Sequence, residues 1–138
     1  MNLPILAILI ATVADFIAGF IWFGPLFGKL WGKIHGFDKL SKETQQKMMK
    51  QMGPFYGVQF GVTFITNFVL AIFLTYLPHD WNIYALAGFF WLGFVVPTQV
   101  GSVIFGGTEP KWMLQKIMIQ AGGSLLFLEL ATLIIHFL

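Results

Sequence analysis

The chain contains neither cysteine nor arginine, and little charge of either sign. The absence of cysteine excludes disulfides, thiolate zinc sites and cysteine nucleophiles. Eight lysines against six acids leave a net charge of +2, far below what a phosphate-tracking surface requires, so no nucleic-acid partner is expected. Charged residues make up 10% of the chain, whereas ordinary soluble domains carry ~25%. The remainder is strongly apolar: hydrophobic residues account for 57%, and 15 glycines raise the share to roughly two thirds. A soluble domain of 138 residues leaves much of its surface in water and cannot hide so much apolar side chain. An ordinary cytosolic enzyme and a disordered tail are excluded on that ground.

Four apolar segments stand out: Leu3–Phe23, Phe55–Leu77, Asn82–Phe105 and Trp112–Leu138. Each reaches the ~20 residues that carry a helix across a ~30 Å hydrocarbon core. Pro4, Pro54 and Pro110 fall at the expected helix starts, and Pro25 and Pro78 follow expected ends. Pro97 lies inside the third span and predicts a kink there. Asn2, Asp80 and Thr108 are the expected N-caps. The prediction is an all-α integral membrane protein, one domain over residues 1–138 built as a bundle of four transmembrane helices. A cleaved leader is not expected, because no lysine precedes the first apolar run.

Orientation follows from the lysines. Lys29, Lys33, Lys39, Lys42, Lys47 and Lys50 lie in loop 24–54, and Lys111 and Lys116 lie between the third and fourth spans. None lies at the N-terminus, in the Pro78–Trp81 turn or at the C-terminus. The positive-inside rule therefore places both termini outside and both lysine-bearing loops in the cytoplasm, as in a bacterial inner-membrane protein. Within Pro25–Phe37 the apolar Leu26, Phe27, Leu30, Trp31, Ile34 and Phe37 share one helical face. Lys29 and Lys33 share the other, which predicts an amphipathic helix in the plane of the inner leaflet. Lys29, Lys33 and Trp31 are accordingly the candidate lipid-headgroup contacts, to the bilayer at large or to an anionic lipid. From Ser41 the composition turns polar, predicting a solvated helix to Gln51 that Gly53-Pro54 ends.

Glycine recurs every fourth residue at Gly24, Gly28, Gly32 and Gly36, and again at Gly53, Gly57 and Gly61. Such spacing lets backbones approach closely, either within one bundle or between copies in a homo-oligomer. A short echo also spans the chain. Ala18-Gly19-Phe20-Ile21-Trp22-Phe23-Gly24 matches Ala87-Gly88-Phe89-Phe90-Trp91-Leu92-Gly93 at five positions in seven, at an offset of 69, half the length. That pattern fits a duplicated hairpin pair.

The run Trp22-Phe23-Gly24-Pro25-Leu26-Phe27-Gly28-Lys29-Leu30-Trp31, closing the first span, resembles the hallmark of a family of small four-helix bacterial membrane proteins, domain of unknown function 1761. Trp91-Leu92-Gly93-Phe94-Val95-Val96-Pro97-Thr98 and the small-residue-rich last span resemble its second half. The resemblance implies a fold and a membrane address. It carries no activity, cofactor or functional residue with it.

Charged side chains inside spans are rare and mark functional candidates. Two acids are present, Asp15 and Glu129. At 1.5 Å per residue from the outer helix ends, Asp15 lies at ~18 Å, Asn67 at ~15 Å, Trp91 at ~13 Å and Glu129 at ~14 Å. Each span thus contributes one polar residue near mid-membrane. The stripes are Ala11, Asp15, Ala18 and Trp22; Gln59, Thr63 and Asn67; and Gly122, Glu129 and His136. Such a cluster is either hydrogen-bonded glue between helices, worth ~1 kcal/mol per bond, or a proton- or cation-linked site. His35, His79 and His136 lie apart without ligand spacing, so no metal or other cofactor is expected. Gln99, Ser102 and Gln120 are expected to bond across helices, and Met48, Met49 and Met52 to pack adaptably. Three functions stay open. A non-catalytic assembly or lipid-interacting component is favoured over a small transporter using the mid-membrane acids, and over a lipid-modifying enzyme.

Overall fold

A backbone surrounded by hydrocarbon must pair its own N–H and C=O groups within each segment, and the α-helix does so without a neighbour. The computed structural model of the protein describes residues 2–76 and 80–138, and the described residues form helices and turns with no strand. The expected Pro78–Trp81 turn therefore lies partly outside the described residues, as do Leu77 and His79.

Among the described residues four helical stretches are long and apolar enough to cross a membrane: Ile5–Leu26, Gly53–Tyr76, Ile83–Phe105 and Pro110–Phe137. Two of them are interrupted. The first comprises α1 (Ile5–Ile21) and a π-helical turn, Trp22–Leu26, that carries it past the expected end at Phe23. Pro25 has no N–H to return to Ile21, so the ladder widens instead of stopping, and the Phe27 N–H reaches the Trp22 carbonyl at 3.0 Å. The third comprises α5 (Ile83–Phe90), a second π turn at Trp91–Val95, and α6 (Val96–Phe105). Pro97 lies in the first turn of α6, so the irregularity predicted at the proline falls just before it as a widened turn.

Between the first two spans lie α2 (Gly28–Ile34), a 3₁₀ turn at Phe37–Lys39, and α3 (Lys42–Gln51). Gly36, at φ 72°, ends α2 in the left-handed region that a side chain disfavours. Ser41 caps α3 by accepting from the Thr44 N–H at 3.2 Å. The polar helix ends at Gln51 as expected, and Met48, Met49 and Met52 are exposed. The long helices α4 (Gly53–Tyr76) and α7 (Pro110–Phe137) are unbroken.

The expected caps are displaced. Pro4, not Asn2, occupies the N-cap of α1. Asn82, not Asp80, caps α5, its Oδ1 accepting from the Tyr84 N–H at 2.8 Å. Glu109, not Thr108, precedes α7, because Pro110 fixes the first turn from its own ring.

The core joins α1, α4 and α7 through Ile8, Ala11, Leu70, Ala71, Ala131 and Ile135. Small alanines at the crossing let the helices approach closely. α7 is the common partner, packing against α1, α4, α5 and α6.

Candidate functional site

The packing of α1 on α4 brings Asp15 and Asn67 into contact. Asn67 Nδ2 donates to Asp15 Oδ2 at 3.0 Å and to Thr12 Oγ1 at 3.3 Å, while the Thr12 hydroxyl donates to its own helix at the Ile8 carbonyl, 2.7 Å away. Thr12 and Asp15, three residues apart, share a helix face. All three side chains are buried. Asp15 Oδ1 has no partner among the described residues.

Trp91 and Glu129 lie along a different interface. Trp91 Nε1 donates to the Ala121 carbonyl of α7 at 2.8 Å. Glu129 sits against α5 at Gly88, where a Cβ would stand 3.6 Å from its Oε1. Its Oε2 is buried without a partner among the described residues. No hydrogen bond among the described residues joins this pair to Asp15 or Asn67. The four polar residues expected to cluster divide into two interfaces. Counting residues along each span does not say which neighbour a helix face meets.

The half-chain echo has a structural counterpart. Trp22 Nε1 donates to the Ile119 carbonyl of α7 at 2.9 Å, as Trp91 does to Ala121. A Cβ on Gly19 would touch the Phe127 ring at 3.9 Å, as one on Gly88 would touch Glu129. In each copy the glycine meets α7 eight residues beyond the carbonyl that the tryptophan reaches, and each tryptophan opens a π turn. The two sets of contacts are shifted by two residues on α7, about 200° around a helix, so they grip opposite sides of it. A carbonyl with an intrahelical partner keeps a second lone pair, which the indole uses. Gly122 and Gly123 open that lone pair on the α1 side: a Cβ at Gly123 would stand 2.8 Å from Trp22 Nε1.

The close helix contacts therefore use Gly19, Gly88, Gly122 and Gly123. At Gly24, Gly36, Gly53, Gly57 and Gly61 an added Cβ would meet open space, so these members of the glycine ladders pack no helix of this chain. Gln99 crosses to α7 by donating to Ser124 Oγ, a partner the spacing did not single out. Ser102 bonds its own helix at the Gln99 carbonyl, and the Gln120 side-chain oxygen is buried without a partner among the described residues. Gln59 donates to Thr63 on its own exposed face at 3.2 Å. Among the described residues no grouping of three or more His, Cys, Asp or Glu side chains is placed to hold a metal.

At the lysine-bearing end, Lys29 and Lys33 are exposed, Leu30 and Trp31 half-buried and Ile34 buried. The Trp31 ring meets Phe23 edge to face and His35 at a tilt, with centroids 4.9 and 4.5 Å away. The Lys116 ammonium lies 5.9 Å from its centroid. A cavity of about 420 Å³ opens between the two loops; Lys33 lines it, and Lys29 and Trp31 do not. A smaller cavity of about 200 Å³, between Leu74, Ile83 and His136, lies toward the opposite end. Neither is lined by Asp15 or Glu129.

A family model described as a protein of unknown function (DUF1761) matches residues 6–136, nearly the whole chain, and the chain belongs to that family. No curated protein and no solved structure matches it.

Proposed function

We propose that this member of the DUF1761 family is a non-catalytic component of a bacterial cytoplasmic membrane, acting in assembly or lipid interaction. Both termini face outward and both lysine-bearing loops face the cytoplasm, in accord with the lysine distribution. The observation that carries the reading is where the interior donors go. Trp22, Asn67, Trp91 and Gln99 each donate to an acceptor on a different helix. Polar groups spent in this way hold helices together and are not held in reserve for a substrate. At the other level, α2 turns Leu30, Trp31 and Ile34 inward and Lys29 and Lys33 outward, an arrangement suited to lying at headgroup depth.

A proton- or cation-linked transporter is the second reading, favoured by one observation: Asp15 Oδ1 and Glu129 Oε2 are buried acceptors without a donor among the described residues. Such oxygens are where an exchangeable proton or a cation would sit. Asp15→Asn and Glu129→Gln separate the two readings, because each keeps the shape and hydrogen-bonding capacity while removing the carboxylate. The first reading expects both variants to express, to unfold within ~1 kcal/mol of the parent and to support growth equally across external pH. Intact folding with loss of a pH-dependent growth or resistance phenotype overturns it in favour of the second.

A further inference from the structure

The cavity at the lysine-bearing end is built from both loops at once. Lys33 and Lys39 come from the segment after the first span, Lys111 and Lys116 from the start of α7. Asp38 and Glu109 also line it, so four lysines face two acids and the lining is net positive. Glu109 is already engaged, its carboxylate 3.4 Å from Lys111 Nζ. Lys33 and Lys39 have no ion-pair partner among the described residues. Lys116 is held in place from two sides: Nζ donates to Thr108 Oγ1 at 3.4 Å and rests over the Trp31 ring. Gly36 and Gly107, at φ 72° and 79°, turn the two loops that form facing walls. Loops that need a left-handed residue at each wall have a defined shape, and so does the space between them. The volume of about 420 Å³ is in the range of small-ligand sites, and the lining charge selects an anion.

We propose that this cavity is a binding site for a phosphate-bearing anion, held by Lys33, Lys39 and Lys116 with the Thr108 hydroxyl. The chemistry is shared by a phospholipid headgroup and by a soluble phosphate ester. The proposal deepens the lipid-interacting reading above and moves its contacts from Lys29 and Trp31 to the residues that enclose space. Lysine ammonium groups are compact point charges that suit a phosphate approached from several directions. Trp31 and Trp112 flank the basic group with apolar rings, as a site at the membrane–water boundary requires.

The test titrates the full chain in neutral detergent at fixed ionic strength. One arm uses phosphatidic acid in mixed micelles and the other glycerol 3-phosphate, with bound ligand counted by native mass spectrometry. Saturation at one ligand per chain is expected. Lys33→Gln with Lys116→Gln should weaken binding about tenfold or more, since each basic group near an anionic headgroup contributes measurably. Lys42→Gln with Lys47→Gln, an equal loss of charge on exposed α3, should change it by less than about twofold, because exposed charges at a distance are screened. Lys39→Glu, exposed and remote from the core, supplies an independent variant and should likewise weaken binding about tenfold or more. Saturation by phosphatidic acid alone identifies a lipid headgroup. Saturation by glycerol 3-phosphate alone keeps the anion site and overturns the lipid-interacting reading. Equal losses in the two lysine pairs, or binding that never saturates in either arm, overturns the site.

Discussion

Two tryptophans share one task, and the residues opposite them decide how well it is done. An indole N–H buried against a helix needs an acceptor, and a helix carbonyl is reachable only where the next turn carries little side chain. Gly123, one turn beyond Ile119, provides that opening for Trp22. Gly123→Ala would place a methyl 2.8 Å from a ring nitrogen that cannot retreat without losing its bond. The substitution should destabilise by ~1–3 kcal/mol, the range for overpacking a tight contact. Trp22→Phe, which removes the donor and shrinks the ring, should cost ~1 kcal/mol from the lost interhelical bond, plus a packing contribution. The two losses should not add, because the smaller ring makes room for the methyl. Unfolding in detergent, followed by loss of helical signal on heating, measures all three variants. A neutral Gly123→Ala would dissolve the argument. The stripe carrying Asp15 and Trp22 is legible from the sequence by spacing alone. The Ile119 acceptor is not, since a backbone carbonyl has no residue signature and Gly122-Gly123 reads only as a small pair.

At the scale of elements, the spans are legible because hydropathy integrates over twenty or so residues and tolerates local error. Their interior irregularities are not. A π turn absorbs one residue without changing composition, so Pro25 reads as a stop and Pro97 as a bend, whereas Pro25 lies within a widened turn and Pro97 just after one. The consequence is a change of register. Trp91 and Gln99, eight residues apart, would be about 80° out of line in an uninterrupted α-helix and come within about 20° once one residue is absorbed. Both then face α7, where Trp91 reaches Ala121 and Gln99 reaches Ser124. Pro97→Ala restores an N–H to position 97 and with it the ordinary ladder to Gly93. The π turn should then relax, and Gln99 should swing from Ser124. A double-mutant cycle of Gln99→Ala with Ser124→Ala should give a coupling of ~1 kcal/mol in the parent and near zero in the Pro97→Ala background. Persistence of the coupling would show that packing on α7, not the proline, holds the turn. The caps illustrate the same limit: Asn82 and not Asp80 serves α5, a shift of two residues that changes no hydropathy sum.

The whole molecule is asymmetric in charge, with every lysine in or beside the two connections that join the first span to the second and the third to the fourth, and its orientation in the bilayer is the property on which the rest depends. If the lysine end were outside, the basic cavity would meet a different leaflet and the depths of Asp15 and Asn67 would be counted from the wrong surface. The absence of native cysteine makes this directly measurable. Glu43→Cys lies on the exposed face of α3, where it leaves the Ser41 cap intact and removes no lysine. Asp80→Cys lies in the opposite loop and is likewise exposed. Intact cells treated with a membrane-impermeant thiol reagent should label the Asp80→Cys protein and spare the Glu43→Cys protein until the membrane is permeabilised. Loops carrying six and two lysines resist translocation, whereas the opposite termini and turn carry none, so mixed labelling of one population is not expected. Reversed labelling would place both termini inside and remove the cytoplasmic setting of the anion site, while leaving its binding in detergent untouched. Equal labelling of both positions would mean that the chain inserts both ways, an outcome that would favour an antiparallel pair of copies and reopen the transporter reading.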